Sequence, residues 1–177
     1  MADVPVPPSV PVSSSTAPIE RPATIAADGI VAGLIGAATV AVWFLVLDSL
    51  AGRPFYTPTV LGTALFRRGA GLDAPAALPV SLEMVGMFTW VHALAFIALG
   101  GAASSLLSAV ERRPNLGFGL LLLFVVFQAG FTVAAAVLAP SLIAIVGWIP
   151  IMTANMLAAG AMAGYLGWRH RGMSIWP

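Results

Sequence analysis

Apolar residues fall along this chain in four long runs, about 24–50, 82–110, 116–139 and 141–168, with polar residues gathered between them. No charged residue lies deep inside any run. A helix needs roughly 20 mostly apolar residues to cross a hydrocarbon core ~30 Å thick, and each run reaches that length. The pattern predicts an all-α, polytopic membrane protein built as a four-transmembrane-helix bundle. It divides the chain into a Pro/Ser-rich tail over 1–23, a transmembrane domain over 24–171 and a short tail over 172–177.

Composition agrees with the pattern. Hydrophobic residues make up 59% of the chain and charged residues 8%, with a mean hydropathy of +0.97. A water-soluble domain carries about 25% charged residues, so this chain is short of the charge that solubility needs. A net charge of +1 gives no long-range field for nucleic acid. The absence of cysteine excludes disulfides, thiolate metal sites, iron–sulfur clusters and c-type haem attachment. Every basic side chain is Arg, and Ala, Gly, Pro and Val abound, a usage resembling that of GC-rich bacterial genomes.

The first 23 residues carry proline and serine without a periodic apolar pattern, so neither helix nor ladder propagates there. Asp3 and Glu20 precede the first basic residue, Arg21, which does not fit the basic start of a signal peptide. The segment reads as a disordered, uncleaved tail, with a polyproline docking peptide as the alternative. Four spans place both termini and the 111–115 connection on one side. That side holds Arg21, Arg112, Arg113, Arg169 and Arg171; the other holds Arg53, Arg67 and Arg68. The excess of arginine in short loops predicts cytoplasmic termini and a bacterial inner-membrane location.

Connections between the runs have their own chemistry. Asn115, after the break at Pro114, is placed to cap the third span. Ala139-Pro140-Ser141 reads as a tight hairpin joining spans three and four, and Gly147 to Pro150 predicts a kink in span four. The long connection 51–80 contains a short helix signal: Thr57 at the cap, Pro58 at the first helical position and Gly69 past the end. Val60, Leu61, Ala64 and Leu65 share one face, which predicts a short amphipathic helix lying in the outer membrane interface between spans one and two. Gly52 to Tyr56 adds aromatic anchoring, and Asp48 is expected to pair with Arg53.

Small residues suggest how the spans meet. Gly29 and Gly33 form one GxxxG stripe in span one, continued by Gly36, and Gly160 and Gly164 form another in span four. Such stripes let helix backbones approach closely, which matters because lipid supplies no hydrophobic drive between helices. Packing within one chain is the first expectation; a homo-oligomer or a larger complex is the next.

Polar residues inside the spans are where function would reside. His92, Gln128 and Asn155 fall at similar mid-span depths, with Thr132 one turn from Gln128 and Thr153 near Asn155. Together they form a candidate polar or substrate cluster; taken singly, each is an interhelical hydrogen bond. His92 is also the candidate ligand for a haem or pigment, although the other histidine, His170, lies beyond the end of span four. Glu83, nine residues before His92, falls on the opposite helix face, so no protein-side-chain metal site is expected. Asp28 and Asp48 sit near span ends, within reach of water. The tryptophans fall toward the interfaces as an aromatic belt.

No catalytic or cofactor motif is present, and no cofactor is implied. The reading is therefore a non-enzymatic accessory or structural subunit of a larger bacterial membrane complex, with the lipid bilayer and other membrane subunits, or itself, as partners. Alternatives are a small oligomeric transporter or channel using the mid-membrane polar site, and a haem- or pigment-binding redox protein. Against a transporter, no carboxylate falls at mid-span and no inverted repeat relates the halves.

Overall fold

The computed structural model describes residues 22–112 and 140–169. The predicted third span, 116–139, lies outside them, as do Asn115, Gln128, Thr132, His170 and the tail up to Arg21. All regular structure in the described residues is helical. α1 runs Pro22–Leu50, α2 Tyr56–Phe66, α3 Leu82–Arg112, α4 Pro140–Val146 and α5 Trp148–Arg169, with a 3-10 turn at Pro75–Ala77. Three stretches are long and apolar enough to cross a membrane: Ala23–Leu50, Leu82–Ala109 and Trp148–Arg169.

α1 is the common partner. It packs against both α3 and α5, while α3 and α5 scarcely touch each other. Its contacts with α3 recur every four residues: Ile25 meets Ser104, Gly29 meets Gly101, Gly33 meets Ile97, and Ala37 meets His92. One index rises as the other falls, so the two helices are antiparallel. The same holds for α5, where Asp28 meets Arg169, Gly36 meets Met162 and Trp43 meets Pro150.

Glycine makes the first contact possible. A methyl group built on Gly29 would lie 2.7 Å from Gly101 Cα, and one on Gly33 would lie 2.6 Å from Ile97 Cα. Both atoms belong to backbone, which cannot step aside, so any side chain there would push the helices apart. Most of what the long helices bury is small, Ala32 and Ala37 of α1 and Ala154 and Ala158 of α5, with Met84 of α3 and Leu166 of α5 the larger exceptions. The large apolar side chains point outward, Val42, Trp90, Leu94 and Met156 among them. A water-soluble bundle arranges size the other way, with its bulky apolar groups inside.

α2 and its flanks cover the end of the bundle where α1 stops and α3 starts. α2 packs mainly on α3 and turns Thr57, Thr59, Val60, Gly62 and Thr63 inward. Of the face expected to be apolar, only Val60 is buried; Leu61 and Ala64 are half-buried and Leu65 is exposed. The helix starts one residue before the expected cap, leaving Phe55 in the left-handed region at φ 65° and Pro58 at the third helical position. Gly69, also left-handed, closes the other end by donating its N–H to Thr63 O.

The run 141–168 is two helices rather than one kinked helix. Gly147 adopts φ 84° and donates its N–H to Ile143 O at 2.9 Å, which ends α4. Pro150 then falls in the first turn of α5, where its missing N–H has no partner to lose. Glycine makes the break, and proline starts the next helix.

Candidate functional site

Polar side chains in the described spans form a central layer and two end clusters. In the central layer, His92 lies ten residues into α3, ~15 Å along its axis. Its Nε2 lies 3.4 Å from Ala37 O of α1, and its ring is flanked by Phe88 at 5.5 Å and Phe96 at 4.7 Å between centroids. In the tautomer protonated at Nε2 the ring donates to that carbonyl, and Nδ1 is then the nitrogen with a free lone pair. Asn155 is half-buried on α5 between buried Ala154 and Ala158. α3 and α5 make few contacts with each other among the described residues. Gln128, the third member of the expected set, lies outside them.

At one end, Asp28 is buried on α1 and accepts from Arg169 Nε at 2.9 Å and from Tyr165 O–H at 3.3 Å, both on α5. At the other end, Asp48 is buried near the close of α1. One of its carboxylate oxygens accepts the Thr57 N–H at 2.7 Å and the other accepts the Thr57 hydroxyl at 2.7 Å. Asp48 thus supplies the side-chain cap of α2 from outside that helix.

Two expectations are corrected here. Neither aspartate is open to water, and Asp48 does not pair with the Arg53 side chain. Arg53 gives its backbone N–H to Asp48 O at 2.8 Å, while its guanidinium donates to Leu78 O at 2.9 Å and lies 3.8 Å from the centre of the Tyr56 ring. The tight turn after Leu50 brings the two backbones together and aims the arginine across the cap. Tyr56 O–H donates to Pro75 O, and Ser81 N–H donates to Thr59 Oγ1, so the whole 51–81 connection is tied down.

Trp43 is also turned inward. Its indole N–H donates to Pro150 O of α5 at 3.1 Å, joining two helices. Gly29 and Gly33 face α3, as described above. Gly160 and Gly164 have no described neighbour within 4 Å.

A shallow groove of about 620 Å³ runs between α1 and α3, lined by Ile25, Ile30, Ile97, Gly101 and Ser105 with Ser108 at its wall. It presents no titratable side chain. Among the described residues no three His, Cys, Asp or Glu side chains come together. Among the described residues the polar groups can bond helices to one another, and none is arranged as nucleophile and base. Comparison of the chain with protein-family models, curated proteins and solved structures gives no match in any of the three.

Proposed function

We propose that this chain is a four-span protein of the bacterial inner membrane, with both termini cytoplasmic, serving as a non-enzymatic accessory or structural subunit of a larger complex. The observation that carries this reading is where its intramembrane polar groups are spent. Trp43, His92 and Ser104 each reach a backbone carbonyl of a neighbouring helix, while Thr39, Thr89 and Thr153 bond back to the preceding turn of their own. The first three hold helices together at about 1 kcal/mol each, and the threonines are satisfied within their own helices; among the buried hydroxyls described, Ser108 Oγ has no partner.

The fourth crossing is supported by the ends it must join. α3 finishes beside the start of α1, whereas α4 packs against α2, at the opposite end of the bundle. The 27 residues from 113 to 139 are enough to cover that distance as a helix, ~40 Å at about 1.5 Å per residue. α2 then lies at the outer interface, on the side away from the termini.

The test is purification from native membranes in mild detergent, with quantitative mass spectrometry of what co-purifies. Other membrane subunits at fixed ratio, whose complex becomes less abundant when this chain is deleted, are expected. A species that runs alone or only with itself, with the other membrane complexes unchanged by its deletion, would overturn the proposal. His92→Ala is expected to leave assembly and yield nearly intact.

A further inference from the structure

The inward face of α2 is fully committed, but its outward edge is not. Leu65 is 55% exposed and Phe66 38%, beside the last turn of the helix. Leu50, where α1 leaves its span, and Leu82, where α3 enters its own, are exposed as well. The apolar surface of the spans therefore continues onto the cap instead of stopping at its foot.

Charge on this edge is unequally used. Arg53 is held by Leu78 O and the Tyr56 ring, and Arg67 donates to Glu83 Oε2 at 3.1 Å. Arg68 is exposed and makes no ion pair with any described residue. It sits at φ 49°, followed by Gly69 at φ 76°, where the chain turns back under the hydrogen bond from Gly69 N–H to Thr63 O. An uncommitted guanidinium thus stands next to two exposed apolar side chains at the boundary of the spans.

We propose that this edge of α2 binds phospholipid of the outer leaflet, with Arg68 on a headgroup phosphate and Leu65 and Phe66 among the upper acyl carbons. Arginine matches a phosphate with forked donors, and the paired apolar side chains match the chains beneath it. This rests on the interfacial position of α2 given above, and the test separates the two.

The chain has no cysteine, so single labels can be placed without background. Leu65→Cys and Asp73→Cys proteins, each carrying an environment-sensitive fluorophore, are reconstituted in phosphatidylglycerol-containing vesicles. Quenching by shallow spin-labelled phosphatidylglycerol is compared with quenching by aqueous iodide. The label at 65 is expected to be quenched by lipid and protected from iodide, with the label at 73 showing the reverse. Adding Arg68→Gln to Leu65→Cys is expected to weaken binding of the spin-labelled lipid about fivefold, the effect of one surface arginine. Iodide access at 65 equal to that at 73, or protection at 65 from both quenchers, would sink the interfacial position and the lipid site together. Lipid quenching at 65 that Arg68→Gln leaves unchanged would overturn the phosphate contact alone.

Discussion

Asp28 and Asp48 stand at opposite ends of the same helix, equally buried, and the fold satisfies them in opposite ways. Asp28 is met by a charge: Arg169, 141 residues away, arriving on another helix with Tyr165 beside it. Asp48 is met by neutral donors nine residues away, the N–H and hydroxyl of Thr57 at the start of α2. The first arrangement clamps two spans together. The second orders a connection and fixes how a short helix leaves the bundle. A buried carboxylate at a span end therefore says nothing by itself of ion coupling; its partners decide what it does.

Substitutions can break each arrangement separately, read as loss of unfolding free energy in detergent micelles. Asp48→Ala is expected to have the largest effect, about 2–3 kcal/mol, because two donors of Thr57 lose their acceptor and α2 loses its cap. The 51–81 connection should become protease-sensitive while the α1–α5 contact persists. Arg169→Ala comes next. Breaking a fully buried pair would cost about 3–5 kcal/mol, but Arg169 is 45% exposed, and screening reduces the expectation to about 1–2 kcal/mol. Asp28→Asn combined with Arg169→Gln should restore most of that loss, and added salt should weaken the native pair without touching Asp48. If salt affects both ends alike, the distinction between them fails.

Finer changes sharpen the contrast. Thr57→Val removes the hydroxyl and keeps the N–H, and should cost about 1 kcal/mol, no more than half the effect of Asp48→Ala. Tyr165→Phe removes only the longer bond to Asp28 and should cost about 0.5 kcal/mol. A Tyr165→Phe loss as large as that of Arg169→Ala would make the phenol, not the guanidinium, the main partner of Asp28.

The difference between the two ends also explains what could be read in advance. The long helices were legible because run length and apolar content depend only on nearby residues. The close approach of Gly29 and Gly33 to another helix was legible as a spacing. The cap on Asp48 was not: Thr57 is at no helical spacing from it, and the contact forms across a turn with left-handed backbone at Gly52, φ 71°, and at Phe55, φ 65°. Nor was the partner of Asp28, since Arg169 is brought to it only by antiparallel packing of α1 and α5. The break at Gly147 was half visible. Glycine and proline marked the place, but the left-handed backbone at glycine, not the missing donor of proline, ends the helix. The inward-facing threonines of α2 ran against the rule that an interfacial helix buries its apolar stripe. They are acceptable there because Thr57 and Thr59 are hydrogen-bonded to Asp48, Phe55 O and Ser81 N–H.

The shared position of α1 bears on how the protein is made. Of the three described spans it precedes the other two along the chain and is the most apolar, with a mean hydropathy of 2.5 against 1.7 for α3 and 1.3 for α5. A segment that apolar partitions into the bilayer unaided. α3 and α5, progressively poorer in apolar residues, then arrive to find an inserted helix already offering Gly33 for close packing and Asp28 for Arg169. Among the described spans, the order of synthesis thus matches the order of need: the one that can enter alone precedes those that gain most from a waiting partner.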